Sequence, residues 1–146
     1  MSAVFLELEK LSLGARRPLM DVLDGVAWNT SGLITAIAQQ YDSREVLMLA
    51  WMNRAALQET LITRRVCYWS RTRQALWRKG ETSGHQQTLI EARLDCDGDA
   101  VLLLVDQIGP ACHTGRPNCF YNAVRDEFIE VIASPPAITP AHGATA

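Results

Sequence analysis

Leu33-Ile34-Thr35-Ala36-Ile37-Ala38 and Val46-Leu47-Met48-Leu49-Ala50 are two short apolar runs separated by the polar turn Asp42-Ser43-Arg44. Runs of this length bounded by turn residues predict the two arms of a β-hairpin. Asn53 then offers a side-chain acceptor for a helix N-terminus, and Ala55, Leu57, Leu61 and Ile62 follow at a spacing that puts an apolar stripe on one helical face. Val66-Cys67-Tyr68-Trp69, rich in β-branched and aromatic side chains, predicts the next strand, with Cys67 as a small buried hydrophobe. Thr88 to Leu94 and Ala100 to Val105 predict two more, joined by a turn at Asp97-Gly98. Strands dominate and one main helix is inserted among them. The class is α+β with a predominantly antiparallel β-sheet.

Working outward, the N-terminal 30 residues mix apolar and acidic positions around Pro18 and Gly25, which predicts one or two short helices. At the other end, Ser134-Pro135-Pro136 opens a small, nearly uncharged stretch containing His142, so residues 134–146 read as a flexible tail and residues 1–133 as a single domain. With 146 residues, 48% apolar and 21% charged, the chain has the balance of a globular domain able to build one core. A net charge of -2 gives no global reason to expect a nucleic acid or a membrane as partner. Glu7, Glu9 and Lys10 interrupt the apolar start too early for a secretory segment, which points to the cytoplasm. In that compartment the four cysteines, Cys67, Cys96, Cys112 and Cys119, favour metal or catalytic roles over disulfides.

Asp95-Cys96-Asp97-Gly98-Asp99 packs three carboxylates and a thiol into five residues. A polar hairpin turn accounts for Asp97 and Gly98, but adjacent like charges repel unless a cation sits among them. If the strand continues to residue 97, its period of two places Asp95 and Asp97 on one face and Cys96 on the other. The hard oxygens then suit Mg²⁺, Ca²⁺ or Mn²⁺, and the soft thiolate suits Zn²⁺. An EF-hand is a poor match, because Gly98 comes too early and a strand follows. Cys112-His113-Thr114-Gly115-Arg116-Pro117-Asn118-Cys119 adds two thiols and a histidine. Three thiolates would leave the fourth position of tetrahedral zinc for water, the catalytic pattern; His113 is either a fourth ligand or the acid/base partner of that water.

Six of the fourteen basic residues, Arg64, Arg65, Arg71, Arg73, Arg78 and Lys79, fall in sixteen positions without an acid. The Gly- and hydroxyl-rich Lys79-Gly80-Glu81-Thr82-Ser83-Gly84-His85 follows, a loop whose backbone N–H groups suit phosphate. Walker spacing is absent, so a small phosphorylated substrate fits better than nucleotide hydrolysis at a P-loop.

Taken in order, Val46-Leu47-Met48-Leu49-Ala50-Trp51-Met52-Asn53, Tyr68-Trp69-Ser70-Arg71, Leu76-Trp77 through His85, Asp95 to Asp99, Ala111 to Gly115 and Cys119-Phe120-Tyr121 closely resemble the phosphoribosyl-AMP cyclohydrolase family of histidine biosynthesis. The resemblance spans roughly Gly32 to Tyr121 and implies the monofunctional form of the enzyme. It implies Zn²⁺ on Cys96, Cys112 and Cys119, with ligands drawn from both chains of a homodimer, and Mg²⁺ on Asp95, Asp97 and Asp99. It also implies the reaction: water adds to C6 of the N1-phosphoribosyl adenine ring and the N1–C6 bond opens to the formimino-carboxamide product. His113 is then the proton-transfer residue, while Arg71, Trp77, Lys79, Gly80, Glu81, Thr82, Ser83, Gly84 and His85 hold the substrate. Two rival readings remain, a zinc module whose basic patch binds nucleic acid, and a zinc deaminase, which the missing His-x-Glu and Cys-x-x-Cys signature disfavours.

Overall fold

The computed structural model describes residues 2–137. Two short helices, α1 (Ala3–Leu8) and α2 (Leu19–Asp24), precede the predicted hairpin, which forms as β1 (Leu33–Gln40) and β2 (Val46–Asn53). The helix α3 (Arg54–Thr63) starts where expected, the Asn53 side chain accepting the N–H of Ala56. Its buried face differs from the predicted stripe: Ala56, Leu57 and Thr60 turn inward, whereas Ala55 is exposed and Ile62 is 81% exposed. Thr60 takes the inner position because its hydroxyl donates to the Ala56 carbonyl at 2.8 Å and accepts the N–H of Cys67 at 2.9 Å, tying the helix to the next strand.

That strand, β3 (Cys67–Ser70), pairs with β4 (Ala75–Arg78) as a separate hairpin. Next come β5 (Gln87–Leu94) and β6 (Ala100–Gln107), followed after the cysteine loop by the short hairpin β7 (Asn122–Arg125) and β8 (Phe128–Val131). The main sheet has the order β2-β1-β6-β5. Its outer pairs are antiparallel, and β1 and β6 run parallel at the centre. The fold is therefore α+β with a mostly antiparallel sheet, and the central parallel pair is an addition to the expectation. Ile34, Ala36, Ala38, Met52, Val101, Leu103 and Val105 fill the core together with Leu57 and Tyr68.

The N-terminal helices close one end of this sheet. Phe5, Leu23 and Val26 are buried, and Ala27 N–H donates to Gly98 O at 2.8 Å. Among the described residues no helix is long and apolar enough to cross a membrane. Of the expected tail, residues 134–137 are described, and Pro136 lies against Gly115; the rest, His142 included, lies outside the described residues.

Candidate active site

The candidate ligands sit at the two ends of β6. At its start, β5 stops at Leu94 and residues 95–99 form the connecting turn, so the expected alternation of Asp95, Cys96 and Asp97 across a strand does not occur. The cause is the side chain of Asp95, whose Oδ1 accepts the N–H groups of Asp99 at 3.0 Å and Ala100 at 3.3 Å, a local bond that competes with strand extension. Gly98 then takes φ +74° and donates its N–H to Asp95 O.

This turn gathers the three carboxylates by another route, with their oxygens all within 4.8 Å of one another. Hydrogen bonding to Asp95 and then Asp97 pushes the Asp99 carboxyl up to about 6. Partial burial works upward on Asp95, but its bonds from Asp99 and Ala100 outweigh this and hold it low. Three carboxylates gathered this closely form a hard oxygen donor set, and it fits a divalent ion such as Mg²⁺.

At the far end of β6, residues 110–119 fold into a tight loop. Cys112 N–H donates to Arg116 O, Gly115 N–H returns to Cys112 O, and Cys119 N–H donates to Leu47 O at 2.8 Å on β2. Gly115 takes φ +84° with Pro136 packed on it, while Arg116 donates to Ala133 O at 2.7 Å and covers the ring of Tyr121. Burial raises the Cys112 thiol, but bonds from the Thr114 hydroxyl and N–H, then from Cys119, together with the charge of Arg116, bring it below its ordinary value. Cys119 moves the other way, pushed up to about 11 by burial and by Cys112. Two neighbouring cysteine sulfurs form a soft donor pair, and its chemistry fits zinc.

Cys96 does not join this pair within the chain. It is exposed on the Asp turn, and the eight residues of β6 between that turn and the cysteine loop span roughly 25 Å at the usual strand rise. Among the described residues, the Asp trio is the one group of three or more ligating side chains that converges.

Beside the cysteine pair opens a cleft of about 380 Å³. Trp77 and Lys79, and from the following loop Gly80, Glu81, Thr82, Ser83 and His85, line one side; Cys112 and His113 line the other. Of the residues assigned to substrate, Gly84 and Arg71 do not line it. Arg71 lies over the ring of Trp51, 4.8 Å from its centroid. The basic stretch is likewise dispersed: Arg78 forms two 2.8 Å bonds to Glu59, Arg65 bonds Gln86, and only Arg73 and Lys79 of the six reach the cleft.

Lys79 is half-buried, donates to Ala111 O at 2.7 Å, and sits 5.6 Å from the Trp77 ring centroid. Burial lowers its pKa, while the charges of Cys119 and Cys112 oppose that. The loop after it is tightly closed. Gly80 at φ +78° packs on the backbone of His85, and the His85 ring rests on Gly109 at φ +67°. Arg73, read in the sequence only as part of the basic stretch, also reaches the cleft, and Gln87, fully buried, carried no signal in the sequence.

The same features bear on relatedness. The phosphoribosyl-AMP cyclohydrolase family model matches residues 48–121, a span from β2 through both candidate metal sites. Phosphoribosyl-AMP cyclohydrolase 2 of Pseudomonas fluorescens is 72% identical over 130 residues, covering 89% of this chain and 88% of the relative. The phosphoribosyl-AMP cyclohydrolase of Alkalilimnicola ehrlichii is 63% identical over 132 residues, 90% of this chain and 93% of its own. That of Chromohalobacter salexigens is 59% identical over 135 residues, 92% of each. With half the chain matched by the model and identities of this size over nearly all of each pair, the chain belongs to the phosphoribosyl-AMP cyclohydrolase family.

Proposed function

We propose that this enzyme opens the N1-phosphoribosyl adenine ring of phosphoribosyl-AMP at the N1–C6 bond, as a cytoplasmic homodimer whose zinc ligands are Cys96 of one chain and Cys112 and Cys119 of the other. The observation that carries the reading is that Cys112 and His113 share a cleft with the Trp77 to His85 segment. Ligand, proton carrier and anion-binding loop then converge on one substrate.

Bound by the thiols, zinc would supply a water with its pKa lowered to about 7. Everything else falls to the chain. Trp77 offers a flat wall for the base, and His113, exposed on the same cleft, would hand a proton between water and the ring nitrogen. Arg73, Thr82 and Ser83 line the same cleft and suit the phosphates of the two phosphoribosyl groups. Asp95, Asp97 and Asp99 would hold Mg²⁺, whose charge would neutralise phosphate or orient the ring. That β6 keeps Cys96 apart from the cysteine pair in its own chain supports a second copy as the source of the third thiol. Residues 1–133 are read as the single catalytic domain, and the tail from 134 as an appendage.

The test is incubation of the protein, supplied with Zn²⁺ and Mg²⁺, with phosphoribosyl-AMP while the ultraviolet absorbance is followed. The expected result is the spectral change of ring opening without ammonia release. Ammonia release from adenosine instead would make the protein a deaminase.

A further inference from the structure

Beside the cleft, Tyr68 and Gln87 are fully buried polar side chains in a mainly apolar core. The Tyr68 hydroxyl donates to Gln87 Oε1 at 2.7 Å. Gln87 Nε2 donates to Gln107 Oε1 at 2.9 Å and reaches Met48 Sδ at 3.4 Å. Gln107 Nε2 in turn donates to the carbonyls of His85 at 3.1 Å and Ile108 at 2.9 Å. No buried side-chain nitrogen or oxygen among the described residues is left without a partner.

The chain of bonds has a single direction. Its last acceptors are backbone carbonyls, so Gln107 must point its NH₂ at them and its oxygen at Gln87. Gln87 must then present NH₂ to Gln107 and its oxygen to the phenol, which donates. Turning any one amide sets two donors or two acceptors face to face. A phenol and an amide buried without partners cost several kcal/mol, whereas phenylalanine and methionine would fill the same space with no such requirement. What the polar set adds over an apolar one is its two ends. At one end the Tyr68 ring lies 5.4 Å from Trp77, its register partner across β3 and β4. At the other is the carbonyl of His85, whose ring rests on Gly109 and whose backbone packs on Gly80.

We propose that Tyr68, Gln87 and Gln107 are positioning residues for the cleft, a buried hydrogen-bond chain that sets the Gly80–His85 loop at a fixed distance from the Trp77 wall. The inference rests on the reading that this cleft binds phosphoribosyl-AMP. None of the three needs to touch the substrate. Their effect runs through the loop and the indole, so it belongs to binding and not to the chemical step.

Tyr68→Phe cuts the chain at its start and Gln107→Met cuts it at its half-buried end, so that one variant carries the test if the other fails to fold. The measurements are KM and kcat for phosphoribosyl-AMP, zinc content, and hydrogen exchange of the amides of residues 84–86. The expected result is a KM raised about threefold to tenfold, the weight of one neutral hydrogen bond, with kcat within about twofold, full zinc, and faster exchange in that segment only. An unchanged KM, or a loss confined to kcat or zinc, overturns the proposal. If the unmodified enzyme fails to open the ring, it is the functional reading that fails, and the exchange comparison still decides whether the chain of bonds holds the loop.

Discussion

The ring of Phe5 lies against Gly98 so closely that a Cβ at position 98 would overlap it. Helix α1 is thereby seated on the turn that carries Asp95, Asp97 and Asp99, and the glycine's positive φ adds a second reason for having no side chain there. Gly98→Ala is expected to lower both stability and Mg²⁺ affinity. Phe5→Ala should cost about 3–5 kcal/mol of stability by emptying a buried aromatic site. Urea unfolding and Mg²⁺ titration check both, and an unchanged Mg²⁺ affinity in Phe5→Ala would free the turn from the helix.

The Asp trio gives a metal-free signature. Asp99, raised to about 6, binds its proton more tightly in the folded chain than in the unfolded one, so its contribution to stability is present at low pH and is lost as pH rises through about 6. Asp95, held low, contributes in the opposite sense. Saturating Mg²⁺ should abolish the carboxyl titration near that value in carbon-detected NMR. Asp97→Asn should bring Asp99 down towards its ordinary value and weaken Mg²⁺ binding while zinc content stays whole.

Glu59 offers a pH test away from both candidate metal sites. Its bonds to Arg78 hold it below the ordinary glutamate value of 4.5 against the opposing effect of burial. A depressed carboxylate stabilises the fold above the unfolded-state value, and that contribution disappears as pH falls through the folded one. In unfolding midpoints taken from neutral to acid pH, Glu59→Gln should be less stable at neutrality and show a shallower acid decline. Curves that stay parallel would mean the pair contributes nothing.

Complementation tests the proposed sharing of zinc ligands between two chains. Cys96→Ser and Cys112→Ser homodimers should each be inactive, and a refolded equal mixture should recover about a quarter of wild-type activity, because half the dimers are mixed and each holds one intact site. No recovery would place all three thiols in one chain.

His113→Ala should keep zinc and the fold yet lose about 10²- to 10⁴-fold in kcat, the usual range for general acid/base catalysis. Full activity would reassign the proton transfer.

Local chemistry was legible in the sequence and long-range pairing was not. Leu33 to Ala38 and Val46 to Ala50 showed their hairpin because a polar turn divides two apolar runs, and Asn53 showed the helix start because its acceptor acts within three residues. The parallel pairing of β1 with β6 joins segments separated by four strands and a helix, and no pattern within either strand encodes it. The expected alternation beyond Leu94 failed because the Asp95 side chain bonds backbone N–H groups four and five residues on. Hairpin β7–β8 escaped notice because Val124, Phe128, Ile129 and Val131 are all exposed, which leaves no buried face to impose a strand pattern. The candidate ligands were visible as residue types, while their division between two ends of one strand needed the fold.

Strand β6 is a ruler as well as a core element. On the proposed reading it keeps each chain's own Cys96 out of reach of its own cysteine pair, so a lone protomer is a pair of half-sites pointing away from each other. Turnover then scales with the concentration of assembled pairs. Dilution below the dimer dissociation constant would silence the enzyme without unfolding it, and a variant defective at one end of the strand would poison a site in its neighbour.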